Sequence, residues 1–87
     1  IEWPGGARIA VSLVVNYEEG AEYSTLDGDA HHETNGEVPS PVPPHDRDLN
    51  NESFFEYGSR VGIWRLLDMF ERHGVSSTFF SCALALE

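Results

Sequence analysis

The sequence predicts an α/β protein built on a parallel βαβ unit. Three stretches carry that expectation: an unbroken aliphatic run at residues 7–15, a helical pattern ending at Gly74, and a β-branched and aromatic run at residues 75–83. Strand, helix and strand in that order form a crossover that lays the two strands parallel and covers one face with the helix. Two such strands leave the other face and both edges bare, so more sheet is expected elsewhere.

ARIAVSLVV, residues 7–15, lacks the alternation of a half-exposed strand and reads as a central parallel one, about residues 7–16. Trp3-Pro4-Gly5-Gly6 before it is turn chemistry. A long acidic loop follows, about residues 20–53, rich in Gly and Pro and poor in apolar side chains. A connection of that length is functional or disordered rather than a simple link. The helix is expected over about residues 56–73, because Ile63, Leu66, Leu67 and Phe70 recur at i, i+3, i+4 and i+7. Ser53 and Glu56 match a capping box at its start. Arg72 and His73 suit the negative end of its dipole, and Gly74 suits the left-handed position beyond. The second strand is expected over about residues 76–82, with a further element beginning at Leu84.

With 15 acids against 5 bases and a net charge of −10, the 87-residue chain is unsuited to a polyanion, so nucleic acid is excluded as a partner. No apolar run approaches the roughly 20 residues of a spanning helix, and all five bases are arginines, so no membrane contact is expected. The single cysteine, Cys82, reads as a small buried hydrophobe. The chain opens on Ile1 and stops inside a nascent element, and so reads as truncated. The expected location is cytoplasmic, with an upstream signal left open.

Eleven of the 15 acids lie between Asn16 and Glu56. In parallel α/β architectures ligands sit at the carboxyl ends of the strands, where NYEEG, residues 16–20, places Glu18 and Glu19. Adjacent acids at a strand exit are either solvated or a catalytic pair, one acting as general base and the other holding a metal or orienting substrate. His31, His32, His45 and Asp46 match no closed zinc spacing and read as solvated loop residues. Asp27-Gly28-Asp29 begins like a calcium loop but lacks its later ligands. Arg65 is expected to pair with Asp68, three residues on. Arg60, in the first turn of the expected helix, points to an outside partner such as a substrate or loop carboxylate.

WPGGARIAVSLVVNYEEGAE, the loop, and then ESFFEYGSRVGIWRLLDMFERHGVSSTFFSCALALE together resemble the N-terminal third of the polysaccharide deacetylase (NodB-homology) superfamily. The similarity is greater to its allantoinase, or urate catabolism, branch with the fungal chitin deacetylase-like relatives, and NYEEG and EYGSRVGIWR are the distinctive strings. The resemblance implies that residues 1–87 are the first βαβ unit of a distorted (β/α)7-type barrel and the N-terminal part of its catalytic domain. In typical sugar deacetylases the first strand ends in Thr-Phe-Asp-Asp-Gly, the first acid serving as base and the second as ligand of a zinc-type divalent metal. Here the matching residues are Asn16, Tyr17, Glu18, Glu19 and Gly20. Each carboxylate sits one methylene further out, where metal sites tolerate only about 0.2 Å. The family's two metal-binding histidines come from a later motif absent from this stretch, and His31, His32 and His45 do not replace them.

By resemblance the reaction is hydrolysis of a non-peptide amide C–N bond, with allantoin-type ring opening preferred and chitin or N-acetylglucosamine deacetylation the rival. Glu18 is assigned as general base and Glu19 as metal ligand or substrate-orienting group, with Asn16, Tyr17 and Arg60 as substrate contacts. The expected partner is a small ureide or an N-acetylated sugar, and a homo-oligomer is compatible with the chain. The long loop would serve as a lid. The third reading is an inactive truncated relative or interaction module.

Overall fold

The computed structural model describes residues 2–87. Two short parallel strands, β1 (Val14–Tyr17) and β2 (Thr78–Ser81), are joined by the acidic loop and a helical rod. The rod consists of α1 (Leu49–Tyr57), a π-helical turn (Gly58–Gly62) and α2 (Ile63–His73). Val14 aligns with Thr78 and Tyr17 with Ser81, so both strands end on the same edge. The α/β class and the parallel pairing follow the sequence.

Both strands are shorter than the expected 7–16 and 76–82. A strand exists only where a neighbour completes its ladder, and among the described residues each strand's sole partner is the other. Leu13 O still accepts from Thr78 N (2.9 Å) and Tyr17 O from Cys82 N (3.2 Å), but Ala7–Ser12 lies outside any ladder among the described residues. Ile9 and Val11 are exposed.

The rod begins about two turns before the expected start at 56. Asp48, extended at φ −97°, is the N-cap, its Oδ1 accepting from the amides of Asn50 (3.0 Å) and Asn51 (3.1 Å). Ser53 is interior, donating to Asn50 O, so the Ser53–Glu56 capping box does not form. LNNESFFEY has no apolar period, and the periodicity therefore dates the helix too late. Arg60 consequently lies mid-rod, not in a first turn. Glycines at 58 and 62 weaken the α ladder by about 1 kcal/mol each relative to alanine. The rod widens between them, Ile63 N–H reaching back five residues to Gly58 O. It ends as expected at Gly74, left-handed at φ 61°.

No apolar side chain is buried among the described residues; the buried side chains are His32, Asp48 and Asn51. The accessible surface is 7099 Å², against about 5100 Å² for a compact monomer of 9.7 kDa. The radius of gyration, 17.3 Å, exceeds the roughly 12 Å of a compact chain this long. Cys82, expected to be buried, is exposed, because none of the described residues covers the end of β2. No helix among the described residues is long and apolar enough to cross a membrane.

The loop, by contrast, is organised by hydrogen bonds. Ser40 Oγ donates to Asp48 Oδ2 while accepting from Val42 N. His32, expected to be solvated, is 4% exposed: its amide donates to Pro44 O (2.8 Å), and its ring nitrogens face Glu33 O and Val42 O. The hydroxyl of Ser40 and the helix amides hold the Asp48 carboxyl below its ordinary 3.8, and the Arg47 guanidinium holds Glu52 below 4.5. Carboxyls so depressed take up protons more readily in the unfolded chain. The stability they contribute is therefore complete above roughly pH 5 and drains as the pH falls further. Asp48→Asn, which still caps, should flatten the acid limb of a melting-temperature profile in the intact protein; an unchanged limb would count against Asp48 as its source.

Candidate functional site at the strand exit

β1 ends at an open cleft of about 1030 Å³. Asn16 and Tyr17 close the strand, their side chains alternating faces, and Glu18 and Glu19 follow in a turn that Gly20 permits at φ 102°. All four line the cleft. The helical rod contributes Phe54, Tyr57 and Gly58, and the loop contributes residues 35–38 as the facing wall.

The three acids of the exit are used differently. Glu22 Oε2 accepts from Gly20 N (2.6 Å) and fixes the turn, which Ala21 N also closes onto Glu18 O (3.0 Å). Glu19 is folded back: its Oε2 accepts from Glu18 N (3.3 Å), and its side chain lies against Gly58. Glu18, exposed at the cleft, makes no side-chain hydrogen bond among the described residues. A carboxylate that accepts nothing from its own protein retains both oxygens for a water or substrate.

Arg60 does not join them. It pairs with Glu56 (3.3 Å) on the exposed side of the rod and is not part of the cleft wall. Arg65 does line the cleft, but it bonds Tyr57 Oη (2.8 Å) instead of the expected Asp68, which pairs with Arg72 (2.6 Å). Residues eight apart on an α-helix differ by about 80° in direction; absorbing one extra residue in the π turn reduces this to about 20°. The sequence spacing alone could not show that Tyr57 and Arg65 become neighbours.

The described residues contain no group of three or more His, Cys, Asp or Glu side chains able to hold a metal ion. His31 packs edge-on against Tyr23, with ring centroids 4.8 Å apart, His32 is committed to backbone carbonyls, and Asp29 accepts from Ser24 N (2.8 Å). These residues alone do not fit a zinc-type ion, and neither the histidines nor Asp27-Gly28-Asp29 forms a ligand set.

Two features escaped the sequence reading. Gly58 lies inside the expected helix, and only the structure shows that its place beside Glu19 has a packing reason. Asn51 looked like an ordinary loop residue, yet it is buried, with Nδ2 donating to Glu33 O (3.3 Å) and its amide oxygen beside Gly36. It ties the cleft's loop wall to the rod. Asn51→Ala should cost about 0.5–1.5 kcal/mol, the worth of one hydrogen bond, since Glu33 O keeps its contact with the His32 ring, and should admit protease between residues 33 and 40. An unchanged melting temperature and cleavage pattern would show that the wall stands without it.

No family model matches the chain. A candidate polysaccharide deacetylase of Schizosaccharomyces pombe is 47% identical over 89 residues, 98% of this chain and 28% of its own length. Among solved structures, Puue allantoinase is 42% identical with a TM-score of 0.78, and a probable polysaccharide deacetylase from Pseudomonas aeruginosa is 46% identical with a TM-score of 0.78. Each structural match covers 95% of this chain and 28% of the solved one. The chain thus spans 28% of the length of these relatives, and over that stretch it is similar to proteins described as polysaccharide deacetylases and to an allantoinase.

Proposed function

We propose that the intact protein hydrolyses a non-peptide amide C–N bond, with Glu18 as general base. The observation that carries the reading is the placement of Glu18 at the carboxyl end of β1, on the cleft, with its carboxylate free of hydrogen bonds among the described residues. Glu18 takes a proton from water as the oxygen attacks the carbonyl carbon. The tetrahedral oxyanion then collapses, the C–N bond breaks, and the proton passes from Glu18 to the leaving nitrogen. Asn16 and Tyr17, which also line the cleft, would contact the substrate.

Allantoin-type ring opening is the preferred reaction, supported by the likeness to an allantoinase structure and by Glu-Glu where sugar deacetylases carry Asp-Asp. Deacetylation of an N-acetylated sugar polymer is supported as strongly by the names of the other two relatives. In either case the unit would be the first repeat of a (β/α)7-type barrel, which its bare sheet edges favour, and loop residues 33–38 would cover the substrate as a lid.

Glu18→Gln should lower kcat by about 10²–10⁴-fold with the fold unchanged by circular dichroism, since an amide cannot take the proton; near-normal turnover would rule Glu18 out as base. Allantoin and an acetylated chitin oligomer, each offered to the intact protein with and without a chelator, separate the two substrates and test the metal requirement. Allantoin is expected to be consumed, and turnover of the oligomer alone would reverse the preference.

A further inference from the structure

We infer that Gly58 is a positioning residue for the base, acting through Glu19. The inference rests on the reading of Glu18 as the base. Gly58 has ordinary right-handed helical angles, φ −56° and ψ −53°, so its backbone does not call for glycine. Helix propensity disfavours glycine there. Space is what demands it: a Cβ at position 58 would stand 2.5 Å from Glu19 Cγ and 2.8 Å from both Cδ and Oε1. The nearest atom is Cγ, which a turn of the carboxylate about χ2 leaves in place, so the clash clears only if the whole Glu19 side chain leaves this position by a change of χ1. With only hydrogen at that point, Glu19 lies against the first residue of the π turn and its Oε2 receives the N–H of Glu18 (3.3 Å). The rod thus sets Glu19, and Glu19 sets the backbone from which Glu18 projects into the cleft. Glu19 is in this arrangement a brace whose useful property is acceptance of a hydrogen bond, which a neutral amide oxygen also provides.

The test compares Gly58→Ala, Glu19→Ala, the double variant and Glu19→Gln in the intact protein. Alanine suits the helical backbone, so Gly58→Ala should fold. Misplacing the base should lower kcat by about a hundredfold in Gly58→Ala with KM little changed. The double variant should be no slower than Glu19→Ala alone, and Glu19→Gln should recover most of the turnover that Glu19→Ala loses. Hydrogen exchange at the Glu18 amide supplies a readout independent of activity: faster in both alanine variants, slow in Glu19→Gln. Losses that multiply in the double variant, or Glu18 amide exchange unaltered by Gly58→Ala, would overturn the inference. If Glu18→Gln turns over normally, the base assignment fails instead, and the exchange comparison alone decides whether Gly58 and Glu19 hold the Glu18 backbone.

Discussion

The carboxylate of Asp48 is the joint on which the rest of this structure turns. One oxygen caps α1 through the amides of Asn50 and Asn51, and the other takes the hydroxyl of Ser40 from the middle of the loop. A helix start leaves its first amides without partners, and a Pro-rich loop cannot satisfy itself through a ladder. One side chain resolves both deficits. It thereby fixes where the rod begins, and with it the position of every residue the rod presents to the end of β1.

From that starting point the rod's internal irregularity matters more than its length. The π turn between Gly58 and Gly62 costs helical regularity, yet it brings Tyr57 under Arg65 and sets Gly58 against Glu19. Irregular helical turns are common at functional sites because they re-aim side chains that a regular helix would direct elsewhere. The acids at the strand exit are accordingly unequal. Glu22 and Glu19 are spent on backbone amides, and Glu18 is left to face the cleft.

The two sides of the unit are stabilised by different physics. The loop and the start of α1 bury polar groups and satisfy them internally, with no shielded side-chain atom lacking a partner among the described residues. The segment before β1, the sheet and α2 leave apolar side chains such as Ile9, Val11, Trp64 and Phe80 in water. The surface exceeds that of a compact chain by about 2000 Å². At about 25 cal/mol per Å² such a face is strongly biased towards further contact. A βαβ unit needs covering on both faces of its sheet, and this chain supplies a helix for one.

Residue order and periodicity by themselves determined the α/β class, the parallel crossover, the helix over Ile63–His73, the αL stop at Gly74, and the placing of Glu18 and Glu19 at a strand exit. These are legible because they depend on local period and terminal chemistry, which the chain carries wherever it is packed. The face of Ile63, Leu66, Leu67 and Phe70 that the period marks for burial stays partly exposed, with Leu66 and Leu67 open to solvent. Tertiary structure decided the rest. Strand lengths depend on a pairing neighbour, so Ala7–Ser12 could not declare itself unpaired. The true N-cap is Asp48 rather than Ser53 because a contact with Ser40, eight residues earlier, selects it. His32 is buried and Cys82 exposed, the reverse of their expected places, because burial is set by what folds over a residue and not by its own hydropathy. Arg60 faces away and Arg65 inward because one extra residue in a helical turn rotates everything after it, a rotation that no count of residues along the sequence reveals.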